Sequence, residues 1–205
     1  MRRVLAMLLG AALLAGCASE PRAPLPAHPH RVWLAHWAKM GGITHFTLSA
    51  EGGIRSGGHG GTLMLHWVVR PRAYQMTGYG PFGRLVFRLR ANGDGAKLLT
   101  ERGHFRGPDA DALLARLTGW RLPVAGLRYW ILGIPDPGPI TSQHVNRFGL
   151  LAALGQAGWS IRYRQYRETP WGRLPELLSL TRSEKTGPPA RITVTLRINQ
   201  WQAGS

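Results

Sequence analysis

Residues 107–135 constrain the fold most, because they form the one clearly helical stretch in a chain that otherwise has the pattern of strands and turns. Asp109 and Asp111 favour a helix N-terminus there, and Gly133 and Pro135 end the stretch. Its apolar residues recur at roughly helical spacing in two runs on either side of residues 121–123: Leu113, Leu114, Leu117, Trp120, then Val124, Leu127, Tyr129, Trp130, Ile131. Two short helices this apolar must pack against a sheet, either closing an ordinary core or covering an emptier space.

The flanking segments alternate apolar and polar residues, as half-buried strands do. Six segments before the helices predict an antiparallel meander, and four more follow them. In order they are residues 43–50, 62–69, 74–79, 84–90, 97–100, 104–105, 148–154, 159–166, 174–182 and 191–201. Residues 51–61 and 136–146 predict loops, the first because of its glycines. We therefore expect one mainly β domain over residues 31–205.

The N-terminus has the features of an export signal. Arg2 and Arg3 precede an apolar run too short to span a bilayer, and small residues lead to Cys17. The sequence from Leu14 to Cys17 resembles the bacterial lipobox, which predicts a signal peptide over residues 1–16 and lipid on Cys17. An ordinary signal peptide with a chance cysteine is the alternative. Residues 17–30 are proline-rich and predict an extended tether.

The charge is strongly positive, with 26 Lys and Arg against 10 acidic residues and a net charge of +16. Such a charge often indicates nucleic acid as the partner. Here the arginines fall on the outer faces of several strands, whereas the aromatic residues fall mainly on the apolar faces. This distribution, together with the export signal, argues against a nucleic-acid binder. The arginines then serve either anionic lipid headgroups or simply solubility.

Catalytic and metal-binding patterns are sparse. The eight histidines are scattered, none at the two-histidine helical spacing that binds zinc, and Cys17 is the only cysteine. The sequence contains no Gly-x-Ser-x-Gly elbow and no evident pair of carboxylates for glycoside hydrolysis. We expect a protein that is not an enzyme and holds no metal.

A set of short motifs in a fixed order resembles one known family. After the lipobox come Gly-Pro-Phe-Gly at 80–83, Pro-Asp-Ala at 108–110, Leu-Thr-Gly-Trp at 117–120, Leu-Arg-Tyr-Trp at 127–130, Gly-Ile-Pro at 133–135 and Gln-Ala-Gly-Trp at 156–159. In this order they resemble LolB, the family of outer-membrane lipoprotein receptors. The resemblance extends from about Val32 to Trp201 and is densest over residues 108–135.

The resemblance implies a fold and a function. The fold is an incomplete antiparallel β-barrel whose apolar face is roofed by helices. The function is to receive acylated lipoproteins from the periplasmic carrier LolA and place them in the inner leaflet of the outer membrane, as a monomer and without a cofactor. An apolar cavity suits this role, because three acyl chains of roughly 16 carbons, at about 0.8 kcal/mol per CH₂, cost on the order of 30 kcal/mol to expose.

The resemblance also implies site residues. We expect an acyl-chain cavity lined by Leu63, Leu65, Trp67, Leu85, Phe87, Leu89, Ile161, Val194 and Leu196, beneath a lid formed by Leu113, Leu114, Leu117, Trp120, Leu127 and Trp130. A loop with an apolar tip, Gly80, Pro81, Phe82 and Gly83, is expected to insert into the membrane. Phe82 stands where the family usually has leucine. Its alternative location is the core, at a hairpin corner.

Two other functions stay open at this point. One is a lipoprotein of the same fold that binds other lipids or envelope partners. The other is a structural envelope lipoprotein with a filled core, which a cavity too small for acyl chains would favour.

Overall fold

The computed structural model describes residues 25–56, 59–118, 123–183 and 191–203, except the side chains of residues 117 and 118. Its helices are α1 (Pro29–Gly41), α2 (Ala110–Thr118) and α3 (Val124–Trp130). Its strands are β1 (Phe46–Ser56), β2 (His59–Arg70), β3 (Ala73–Tyr79), β4 (Leu85–Asn92), β5 (Gly95–Thr100), β6 (Gly103–Gly107), β7 (Ile140–Val145), β8 (Leu151–Gln156), β9 (Trp159–Thr169), β10 (Gly172–Ser183) and β11 (Arg191–Ala203).

All the strands belong to one antiparallel sheet of order β6-β5-β4-β3-β2-β1-β11-β10-β9-β8-β7. The first and last strands pair at its centre, with Phe46 opposite Ala203 and Ile54 opposite Val194. The sheet does not close, and β6 and β7 are its two edges within the described residues. The predicted fold class, an open antiparallel sheet with helices on one face, is confirmed.

The strand alternation gives the sheet an inner face, which carries the core, and an outer face. On β11, for example, Ile192, Val194, Leu196 and Ile198 are buried. Helix α2 packs on β4, β5 and β6, and the segment from Ile131 to Pro135 after α3 is also buried. The two predicted helices therefore cover the inner face, while α1 packs beside β7 and buries Trp33 and Met40.

The glycine-rich segment 51–61 was expected to be a flexible loop that connects two strands as a hairpin. The two strands do pair as a hairpin, but most of the segment is strand and not loop. β1 continues to Ser56 and β2 begins at His59, and these two residues pair with each other. Glycine lowers strand propensity, but pairing with β11 and β2 overrides it here. Gly52 is closely packed on the inner face, since a Cβ there would lie 3.1 Å from Leu65 Cδ1.

The segment 136–146 was also expected to be a loop, but β7 occupies Ile140–Val145. Its residues are exposed or half-buried on both faces, because β7 is an edge strand. Without a buried face the strand leaves no alternation in the sequence. Only its pairing with β8, Gln143 opposite Leu154, makes it a strand.

Within the described residues no helix is long and apolar enough to cross a membrane. The same residues contain no group of three or more His, Cys, Asp or Glu side chains that could hold a metal ion.

Candidate functional site

An apolar cavity lies between the inner face of the sheet and helix α3. Its volume is about 30 Å³, and its walls carry no exposed polar surface. The lining residues come from five strands and one helix: Gly52, Gly53, Ile54, Leu63, Leu65, Met76, Phe87, Leu127, Val194 and Leu196. A cavity needs roughly 10 to 15 Å³ of this kind of space to hold one water molecule. In this conformation the space between the sheet and the lid therefore holds one or two water molecules and no acyl chain.

Most of the predicted cavity residues lie at this cavity or in the core beside it. Leu63, Leu65, Phe87, Val194 and Leu196 line it. Trp67, Leu89 and Ile161 are buried in the same core without lining the cavity.

The structure corrects the expected facing of Leu85. This side chain is only half-buried, and Val86 packs against the core instead. The cause is a register shift in the pairing of β3 with β4, between Gly78 and Tyr79. Met76, Ile54, Gly52 and Gly53 line the cavity but were missing from the prediction. Met76 lies in a predicted strand, whereas the three others lie in the segment expected to be a loop.

The lid residues pack where the helical pattern placed them. Leu113, Leu114 and Trp130 are buried in the core, and Leu127 faces the cavity. The Leu117 side chain and Trp120 lie outside the described part of the chain, as does Cys17.

Two aspartates hold the N-terminal half of the lid. The Asp109 carboxylate accepts a hydrogen bond from Ala112 N–H at 2.6 Å and so caps α2. Asp111 accepts one from Val124 N–H at 2.9 Å, which ties α2 to the start of α3. Burial raises the pKa of Asp111, and the hydrogen bond from Val124 opposes that rise. Tyr74 lies near this pair, and burial followed by the two negative charges raises its pKa.

One buried glutamine fastens the C-terminal end of the lid to the sheet. Gln156, at the end of β8, accepts hydrogen bonds from Trp130 Nε1–H at 2.9 Å and from Asp136 N–H at 3.0 Å. Its amide donates to the carbonyl oxygens of Asp136 at 3.0 Å and Gly138 at 2.8 Å. Its side chain is thus bonded four times although it is 1% exposed. Gln156 begins the Gln-Ala-Gly-Trp motif at 156–159, but no local pattern shows that its side chain is a polar anchor.

The β3–β4 turn presents Phe82 to solvent. Residues Pro81–Gly83 form a single 3-10 turn, and the Phe82 side chain is 108% exposed, so it is not in the core. Its backbone is left-handed, with φ 59° and ψ 22°, which is an uncommon conformation for phenylalanine. Gly83 follows at φ 75°, a value that glycine adopts freely. A large apolar side chain held outward by a strained turn is a feature that stability does not require.

Comparison of sequences identifies the family. Residues 44–201 match the family model described as "Outer membrane lipoprotein LolB". The chain is similar to the outer-membrane lipoprotein LolB of Pseudomonas putida, with 32% identity over 194 residues, 93% of this chain and 91% of that protein. It is also 32% identical over 205 residues to the LolB of Nitrosococcus oceani, and the match covers 98% of each.

Comparison of structures agrees at the level of the fold. The chain resembles a LolA superfamily protein from Nitrosomonas europaea, with a TM-score of 0.54 and 8% identity, over 89% of this chain and 95% of that one. At that identity the likeness concerns the fold alone. The family match, which spans three quarters of the residues, and the relatives at 32% identity carry the assignment. The chain belongs to the LolB family of outer membrane lipoproteins.

Proposed function

We propose that this protein receives acylated lipoproteins from the carrier LolA, holds their acyl chains between the inner face and the lid, and releases them into the inner leaflet of the outer membrane. The apolar cavity between Leu127 of the lid and the leucines of β2 and β11 is the observation that supports this most directly. Each of these steps moves the acyl chains from one apolar environment to another. It needs no covalent step and no cofactor.

The small cavity means that the lid must move for a lipid to bind. About 30 Å³ cannot hold an acyl chain, so we propose that helices α2 and α3 swing away from the sheet and their leucines then contact the lipid. Helix α2 contacts mainly β4, β5 and β6, which lie at one end of the sheet, so its movement would leave the centre of the sheet paired. A permanently filled core would instead make the protein a structural envelope lipoprotein.

For delivery, we propose that Phe82 enters the membrane. A fully buried phenylalanine side chain contributes about 1.5 to 3 kcal/mol, which suits brief insertion rather than anchorage. Cys17, with its lipid, would hold the protein at the outer membrane. In this scheme the anchor and the acyl-chain site are separate.

A transfer assay tests the proposal. A soluble form lacking residues 1–17 is mixed with LolA that carries a triacylated lipoprotein, without membranes. We expect the lipoprotein to move to this protein, because the cavity and not the anchor binds the acyl chains. The same cargo without acyl chains serves as the control and should not transfer. Failure to take up acylated cargo would favour a structural lipoprotein.

A further inference from the structure

A long trough crosses the outer face of the sheet, on the opposite side from the cavity. Over β7 to β11 its volume is about 1070 Å³, and a second depression of about 660 Å³ continues it over β1 and β2. The two share Thr193 and Thr195, so they form one trough. We name it the outer trough. Of the residues that line the cavity, the trough shares two, Gly53 and Ile54.

The register of the strands shows how the trough is built. One row of paired residues runs straight across seven strands: Ser142, Gly155, Ser160, Thr181, Thr193, Arg55 and Gly60. The adjoining row is Arg162, Ser179, Thr195, Gly53 and Thr62. Small residues and hydroxyls thus form a floor across the strands. At six strand spacings of about 4.8 Å, this floor is roughly 29 Å long.

Positive charge is concentrated along this floor. Arg55, Arg162, Arg164, Arg191 and Arg197 line the trough, and among the residues that the structure describes no acidic side chain lines it. Among the described residues none of these arginines forms an ion pair. The nearest carboxylate by register is Glu51, exposed opposite Arg197. The expectation that the arginines only coat an outward surface was therefore incomplete, because these five converge on one depression.

The shape and the chemistry together indicate the ligand. A planar layer of lipid headgroups contacts protruding charges, whereas this trough is recessed and linear. Arg55 lies on the first row and Arg162 on the second, three strand spacings or roughly 14 Å apart. Arg191 flanks the rows on one side, and Arg164 and Arg197 flank them on the other. An extended acidic chain along the floor therefore has guanidinium groups on both of its sides. Guanidinium groups bind carboxylates with two parallel hydrogen bonds, and floor hydroxyls can bond a peptide backbone.

We propose that the outer trough binds an acidic, extended segment of a partner polypeptide. A floor of roughly 29 Å accommodates about nine residues at 3.3 Å each. The segment lies across the strands and not along an edge, so it does not add a strand to the sheet. Binding on the outer face leaves the lid free to open, and the proposal stands independently of the acyl-chain function.

The test measures binding of a probe peptide, a fluorescent nonapeptide of alternating aspartate and serine, to the full chain in detergent at low salt. We expect Arg162→Gln/Arg197→Gln to weaken binding at least tenfold, since two charge-assisted contacts are lost. The neutral substitution Thr195→Trp, which fills the trough, should weaken it similarly. The control pair Arg70→Gln/Arg106→Gln removes the same charge elsewhere on the sheet and should change the affinity less than twofold.

Several outcomes would overturn the proposal. An equal loss of peptide affinity in Arg70→Gln/Arg106→Gln would show that binding depends on the net charge of the protein and not on the trough. Undiminished binding by Thr195→Trp, or displacement of the peptide by millimolar glycerol phosphate, would indicate a site for headgroup phosphate. Absence of peptide binding by the unsubstituted chain would also reject it. Urea unfolding of each variant separates loss of the site from loss of the fold.

Discussion

Phe82→Glu should reduce delivery of lipoproteins into membranes at least tenfold while leaving their uptake from LolA unchanged. The side chain is fully exposed, so the substitution removes the apolar tip and nothing from the core. Insertion of phenylalanine contributes about 1.5 to 3 kcal/mol, which corresponds to roughly ten- to over a hundredfold, and a carboxylate adds a further cost of burial. The measurement is the rate at which loaded protein transfers cargo to liposomes.

The matched control is Phe82→Leu, which keeps an apolar tip and should deliver at nearly the normal rate. Both variants should unfold at the urea concentration of the unsubstituted protein, because residue 82 makes no core contact. Delivery by Phe82→Glu at the normal rate would reject the role of the tip. Equal loss in Phe82→Leu would show instead that the shape of the aromatic ring is required.

Gln156→Leu should have the largest effect on stability, lowering the free energy of unfolding by about 3 to 5 kcal/mol. It removes four hydrogen bonds and leaves buried donors on Trp130 and Asp136 without a partner. Each such orphaned group costs about 1 to 3 kcal/mol. Because these bonds fasten the lid to β8, the variant should also bind an apolar dye more strongly under native conditions. Urea unfolding and dye fluorescence are the two measurements.

Gln143→Leu is the control for this prediction. Gln143 lies on the neighbouring strand β7 and is exposed, so its replacement should change stability by no more than about 0.5 kcal/mol. A similar loss in both variants would mean that the Gln156 network does not stabilise the lid. A large loss of stability without increased dye binding would show that the network supports the sheet rather than the closed lid.

The parts of the fold that could be predicted are those where one face is buried. Alternation in β9 and β11, and helical spacing around Leu113 and Leu127, each identify a side that packs in the core. The segments that were predicted wrongly lack this contrast. β7 is exposed on both faces, and the glycines of β1 and β2 have no side chain to alternate. In both cases the partner strand determines the structure, and a single segment does not show its partner.

The candidate site divides in the same way, into residues that alternation predicts and residues that only the paired strands reveal. Five cavity residues follow from alternation, but Leu85 does not, because a register shift in the β3–β4 ladder changes which residue faces inward. Gln156 belongs to a motif found in the sequence, but its anchoring role was missed because its four bonds reach residues 18 to 26 positions away. The outer trough was missed because its rows run across strands, and only the register aligns Ser160, Thr181 and Thr193.

The central claim is that acyl chains lie between the inner face and the lid, and photo-crosslinking at Leu65 tests it most directly. A photoreactive phenylalanine analogue replaces Leu65, which lines the cavity, or Met64, its neighbour on the outer face. Each variant is loaded from LolA with a lipoprotein that carries labelled acyl chains. We predict that the label is captured at residue 65 and not at residue 64. Capture at neither position, or equal capture at both, would contradict the claim.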